Sequence, residues 1–449
     1  MQDAYHARGQ FMTSESKLSL GVKREELPFS LLMSAYFFLV ITSFWILKPI
    51  KKSLFIDYYK SIDGFHLFGW HLLGSQAELL TKVMNMVVAA VAVAVFTLVS
   101  RRLRRQQLTF VFSCFFIAAF ALYLFLLRHP HGFTVWSFYL FGDLFSTLMV
   151  PTSYAFLNDS VTPDSAKRTY GLVGFGGVAG GAFGATSVTA LIHQVSNSGW
   201  MLILAGAAVL IMALAAAAGR LAARRVSAAP GPEERGATTG NAALEGARLV
   251  FSSRYMLAIV AIVGLYEMVS TIMDFQFTSS VEHFVADSTR EHFSRVFTIT
   301  NIVSMVVQLF LTSFVMTKFG VGLALLVLPI AALSGSSAFL FAPGLITGSI
   351  LNTADNAFSY SINQSAKETL YVPTTRDEKY KAKAFIDMFV QRFAKSLAVG
   401  LSLLLTTRFS EFSAIPWLSG LSILILIVWM VAARYAGKHF DEMSSGERK

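Results

Sequence analysis

Lys48, Lys51 and Lys52 interrupt an apolar run that reads Trp45-Ile-Leu-Lys-Pro-Ile-Lys-Lys-Ser-Leu-Phe-Ile-Asp-Tyr-Tyr59, and Arg392 and Lys395 stand three residues apart inside another. Basic side chains gathered in this way bind phosphate and other multivalent anions, arginine through its planar fork and lysine as a point charge. Carboxylates recur in the same kind of setting: Asp143, Glu267, Asp274 and Asp355, the last followed by Asn356. Glu78 and Lys82 are four residues apart, a spacing that reads as a local helical pair. A charged side chain at the bilayer centre costs about 2.5–3.5 kcal/mol on insertion scales, so such residues turn toward a protein interior. Two readings follow. Opposed acidic and basic helices hold one another as structural ion pairs, or together they form a polyanion site whose acids tune it. The candidate site is Lys48, Lys51, Lys52, Asp143, Asp274, Asp355, Asn356, Arg392 and Lys395.

Other chemistries find little support. The nine histidines show no metal-ligand spacing, and His129 and His131 merely flank a proline. No nucleophile elbow and no Walker-type phosphate loop occur. The single cysteine, Cys114, lies in an apolar run and excludes an internal disulfide framework. Gly176, Gly180 and Gly184 are four residues apart, as are Gly177 and Gly181, which bares one helix face for close packing in lipid. The same glycines make no dinucleotide fingerprint, because no strand precedes them. The expectation is a non-enzyme with no cofactor and no metal.

The elements that must hold these charges are membrane helices. Of 449 residues, 54% are hydrophobic and only 14% charged, whereas soluble domains run nearer one quarter charged. A helix needs about 20 mostly apolar residues to span the hydrocarbon. By that test there are twelve segments, roughly 28–47, 77–99, 108–127, 133–157, 171–192 and 199–219, then 255–277, 295–317, 321–341, 343–364, 384–406 and 415–435. The fold class expected is therefore an all-α polytopic membrane protein with two six-helix halves, 27–220 and 255–435. Residues 1–26 read as a polar tail without the order of a cleavable signal, 221–254 as a Pro/Gly/Ala-rich linker containing a short surface helix, and 436–449 as a second tail.

Lysine and arginine in the loops set orientation. With both ends cytoplasmic, Arg101 to Arg105, Lys167, Arg168, the linker arginines, Lys318 and the cluster Lys367 to Lys383 all fall inside, leaving mainly Arg128, Arg290, Arg295 and Arg408 outside. The formal net charge of +10 is thus topology, and nucleic acid is not expected as a partner. One group breaks the pattern: Lys48, Lys51, Lys52 and Lys60 collect on the outer side of the first span. Either the helix stops at Pro49 and the lysines snorkel to headgroups, or it runs on and carries them into a cavity. A short internal repeat supports the paired halves. Setting Thr162 over Thr375 brings Asp164 onto Asp377, Arg168 onto Lys381, and Asp143 within one residue of Asp355.

With these residues quoted, the chain resembles the nucleotide (ATP/ADP) translocases of plastids and intracellular bacteria, twelve-span carriers related to the major facilitator superfamily. The likeness is densest in Ile46-Leu-Lys-Pro-Ile-Lys-Lys-Ser-Leu54, in Asn158 to Gly176, and in Ala366-Lys-Glu-Thr-Leu-Tyr-Val-Pro373 with Lys381-Ala-Lys-Ala-Phe-Ile-Asp387 and Phe393-Ala-Lys-Ser396. The resemblance implies that Lys51 holds the place of a transport lysine and that Asp274 stands where the family has a glutamate. It departs at Tyr139, where the family's fourth span carries a glutamate, and at Ala394-Lys-Ser-Leu-Ala398, where the family has Gly-Lys-Ser-Gly-Gly. What it implies is a monomeric carrier in a bacterial inner membrane, exchanging nucleotides or a related phosphorylated anion by alternating access. The acids would hold the bases in the empty site and enforce exchange. A proton-coupled carrier of another small molecule and a non-transporting scaffold remain as alternatives.

Overall fold

The computed structural model describes residues 25–67, 69–103, 105–161, 163–226, 242–375, 378, 382–407 and 412–446. Residues 1–24 of the expected N-terminal tail, 227–241 of the linker, Arg408, and Thr162, Asp377 and Lys381 of the repeat lie outside the described residues, as do the side chains of Asp164 and Arg168.

The described residues are helical almost throughout. α1 (Leu27–Ser61) is followed by a small antiparallel hairpin, β1 (Phe65–Leu67) and β2 (Trp70–Leu72), in which Phe65 faces Leu72. This hairpin is the one departure from the all-α expectation among the described residues. Then come α2 (Gly74–Arg102), α3 (Arg105–Leu126), α4 (Gly132–Ser160), α5 (Pro163–Ala190) and α6 (Asn197–Val226). The linker contributes α7 (Ala242–Ser252), close to the short helix expected there. α8 (Arg254–Phe284) leads to α9 (Thr289–Val306), which passes through one π-helical turn into α10 (Thr312–Phe341). α11 (Leu345–Phe358) continues through a second π turn into α12 (Gln364–Thr369). α13 (Lys383–Phe385) does the same into α14 (Gln391–Thr406), and α15 (Trp417–Gly446) closes the order.

Among the described residues nine stretches are long and apolar enough to cross a membrane. One of them, Thr289–Phe341, has 53 residues and is bent at Gly320, whose φ of 79° lies in the left-handed region that glycine adopts most easily. At 1.5 Å per residue its helix path is about 80 Å, more than twice the hydrocarbon thickness. The stretches 345–369 and 383–406 are not among these nine.

Helix α1 does not stop at Pro49. It runs 35 residues to Ser61, with Lys51 only 5% and Lys52 only 3% exposed. A proline costs one backbone hydrogen bond, which membrane helices tolerate where neighbouring protein re-satisfies the freed group. The snorkelling reading of these two lysines is therefore corrected: they are packed inside.

Buried apolar side chains form two clusters. One draws mainly on α1 to α6, with Phe277, Phe293 and Phe297 joining it; the other draws mainly on α7 to α15. The tightest approach is α1 against α5. A Cβ at Gly176 or Gly184 would stand 2.5 Å from the carbonyl oxygen of Ser34 or Thr42, and one at Gly180 would meet the Phe38 carbonyl. The side chains of Ser34 and Thr42 donate to the Leu172 and Gly180 carbonyls at 2.8 and 3.1 Å. The glycine face thus mates with a matching four-residue step on α1, while Gly181 looks toward Asn301 and Trp45. Gly180→Val is expected to cost on the order of 3 kcal/mol, since backbone rather than a side-chain tip must yield. A thermal melt of the detergent-solubilised variant checks this; an unchanged midpoint would mean that the two helices are not in such close contact.

Candidate substrate cavity

A cavity of about 570 Å³ lies between α1, α2, α4, α8, α11 and α14. Each wall owes its polar face to one of the interrupted apolar runs singled out in the sequence. α1 brings Lys48, Lys51 and Lys52; α2 brings Lys82 and Asn85; α4 brings Tyr139 and Asp143. From the later helices come Glu267, Ser270 and Asp274 on α8, Asp355 and Asn356 on α11, and Lys395 on α14. Glu267 and Asp274 are seven residues apart, two helical turns, and so share a face.

The charges are arranged in contact with one another. Lys51 is paired with Asp143 and lies 4.3 Å from the centre of the Tyr139 ring. Gly142 makes room for it, since a Cβ there would sit 2.7 Å from the lysine stem. Lys52 donates to Asp274 Oδ1 at 2.8 Å and lies 3.3 Å from Glu78 Oε1. The other Asp274 oxygen takes Lys82. Tyr139 donates its hydroxyl to Glu78, closing a chain that joins α4, α2, α1 and α8. Lys395 lies 3.2 Å from Glu267. Asp355 accepts from Ser270 Oγ at 2.6 Å, and Asn356 Oδ1 is 3.5 Å from Lys48 Nζ.

Eight of the nine sequence candidates therefore line one space. Arg392 is the exception: its guanidinium donates to the Met86 carbonyl of α2 at 3.2 Å and is not among the lining groups. Asp355 differs from expectation in another way, because it holds a hydroxyl and not a base. The sequence places Lys82 among the charges inside spans, with a local pair to Glu78 as the simpler reading; in the fold Glu78 and Lys82 are each bonded to other partners. Two charges inside an apolar segment were the available signal. At Tyr139, where the resemblance expects a carboxylate, one is present after all, delivered by Glu78 through the tyrosine hydroxyl.

The two ends of the cavity differ. One extends past Gln364, Lys367, Glu368 and Asp387. Beyond the other end the helices are tied together. Glu282 accepts the backbone N–H groups of Gly74 and Ser75, at the start of α2, at 2.7 and 2.9 Å. Lys60 donates to the Val285 carbonyl at 2.5 Å, Thr289 N–H to Asp57 at 3.2 Å, and Gln76 to Thr406 at 3.2 Å.

Comparison with known proteins places this geometry. The chain is 22% identical to the plastidic ATP/ADP-transporter of Solanum tuberosum over 499 aligned positions, covering 97% of this chain and 77% of that protein. It is 22% identical to ADP,ATP carrier protein 1, chloroplastic, of Arabidopsis thaliana, covering 70% of this chain and 56% of that one. With ADP,ATP carrier protein 1 of Chlamydia pneumoniae it shares 28% identity over 32% of each chain. Among solved structures it is similar to the nucleoside transporter NupG, with a TM-score of 0.62 and 12% identity over 90% of this chain and 98% of that one. It is similar also to the major facilitator superfamily transporter FucP, with a TM-score of 0.53 and 14% identity over 92% and 99%. At such identities the structures speak for the fold alone, that of major facilitator transporters. The family described as TLC ATP/ADP transporter matches residues 129–440. Helices, cavity and sequence agree, and this integral, multi-pass membrane protein belongs to the TLC ATP/ADP transporter family.

Proposed function

We propose that the chain is a twelve-span carrier that exchanges a nucleotide or a related phosphorylated anion by alternating access, as the names of its relatives suggest. The observation that carries this reading is the convergence of Lys48, Lys51, Lys52, Lys82 and Lys395, from three helices, on one cavity. A multivalent anion entering a low-dielectric space needs such partners. Dividing Thr289–Phe341 at Gly320 and adding Leu345–Thr369 and Lys383–Thr406 to the other eight stretches gives twelve passes. Two apolar clusters, and an equivalent close contact in each half, support six-helix halves. Gly219 of α6 packs on Gln106 of α3, as Gly437 of α15 packs on Gly322 of α10.

With both ends cytoplasmic, the end near Lys367 is the inner one, and the ties from Glu282, Lys60 and Asp57 close the outer one. The state is then inward-facing. The chain works as a monomer in a bacterial inner membrane, with rocking halves and no ATP hydrolysis.

One observation favours the runner-up. Asp355 is a cavity carboxylate whose hydrogen-bond partner is the Ser270 hydroxyl, a setting suited to carrying a proton. Counterflow in proteoliposomes separates the two. Labelled ATP is expected to enter vesicles preloaded with ADP, to stay out of empty ones, and to ignore an imposed pH gradient. Uptake into empty vesicles that follows the pH gradient would replace exchange with proton-coupled transport.

A further inference from the structure

Among the described residues, every cavity lysine on α1, α2 and α14 except Lys48 is already held by a carboxylate. Asp143 has Lys51, Asp274 has Lys52 and Lys82, and Glu267 has Lys395. Lys48 has none at ion-pair distance among the described residues. Its ammonium lies 4.4 Å from the centre of the Trp45 ring and 4.9 Å from that of Phe297, and its hydrogen-bond contact is the long one to Asn356 Oδ1. Asp274 is held by two other lysines, and Asp355 accepts from the Ser270 hydroxyl.

Ring faces hold a cation through their quadrupole, more weakly than an anion holds it once water is excluded. A lysine resting on two aromatic faces beside a cavity is therefore a charge held in reserve. An anion that enters need not break an existing ion pair to reach it, whereas engaging Lys51, Lys52 or Lys82 means competing with a carboxylate already in place. Resting on the reading of an anionic, phosphorylated substrate, we propose that Lys48 is the residue that first takes the ligand's phosphate, with Trp45, Phe297 and Asn356 as its seat in the empty carrier. Trp45 is on α1, and Phe297 and Asn356 come from α9 and α11, so drawing the ammonium off its seat also loosens a contact between the two sets of helices.

Lys48→Gln separates this role from a structural one, because the two predict opposite signs. Neutralising a half-buried charge that has no ion pair leaves the ligand-free protein at least as stable as wild type, whereas losing a paired lysine strands its acid and lowers the melting midpoint. Thermal melts of the purified protein with and without ATP, ADP or inorganic phosphate, and the KM for exchange in proteoliposomes, are the readouts. Lys48→Gln is expected to leave the ligand-free midpoint unlowered, to abolish most of the anion-induced stabilisation, and to raise KM about tenfold or more. Lys48→Arg is expected to restore much of both. A KM within about twofold of wild type, or a ligand-free midpoint as low as that of Lys51→Gln, overturns the assignment. If the wild-type protein binds none of the three anions, the phosphorylated-substrate reading falls, and the role of Lys48 with it. If wild type responds and Lys48→Gln responds equally, only the role of Lys48 falls.

Discussion

Asp274→Asn is expected to slow exchange by about 100-fold or more while tightening the binding of anions. The carboxylate accepts from Lys52 at 2.8 Å and from Lys82 as well, so its loss leaves two ammonium groups with only Glu78 beside them. Breaking a buried ion pair by removing one partner costs about 3–5 kcal/mol, which corresponds to roughly two to four orders of magnitude in an equilibrium. A bound anion would supply the missing charge and then be slow to leave, since releasing it restores the penalty. The signature is a split: KM falls and turnover falls with it. Initial rates of ATP/ADP exchange over a range of external nucleotide measure both. Lower turnover with a raised KM would instead show that Asp274 positions the ligand and does not compete with it for the lysines.

Lys51→Gln should act in the opposite sense on binding and in the same sense on transport. Without the lysine, Asp143 keeps its charge at the cavity wall beside Tyr139 and repels an incoming anion. Affinity and turnover are both expected to fall, together by about 100-fold in turnover over KM, with a lower melting midpoint. The informative variant is the double one. Lys51→Gln with Asp143→Asn removes the stranded charge, so the midpoint should recover. Transport should not, because an anion site has lost its base. Recovery of both would make the pair purely structural, which was one of the two readings the sequence left open.

What could be read from the sequence divides along a physical line. Helices were legible, because lipid leaves the backbone few options and long apolar runs report them directly. Charges inside those runs were legible as interior residues for the same reason. Partner identity was not. Lys52 and Asp274 are 222 positions apart, and no periodicity within either helix says which acid meets which base. Glu78 and Lys82 show how a local rule misleads: their four-residue spacing satisfies the pairing geometry of an exposed helix, yet inside the bundle stronger partners come from other helices. Arg392 errs in the other direction. It sits one turn from Lys395, but an offset of three residues turns it about 60° round the helix, enough to reach the α2 backbone instead of the cavity. Pro49 looked like a helix end because proline costs so much in a water-exposed helix. In α1 the surrounding protein removes that logic, and the helix carries Lys51 and Lys52 through it.

The glycine steps on α5 and the carbonyls of Ser34, Phe38 and Thr42 on α1 act like a key cut for one keyway. Both sides repeat every four residues, so the next register in which the teeth fit lies about 6 Å along the axis, with a collision of main chains in between. Small slippage between the two rods is thereby forbidden. When the carrier changes state, the lysines on α1 must travel with α5 as a single lever, and the bending needed to reorient the cavity has to be taken up elsewhere in the bundle.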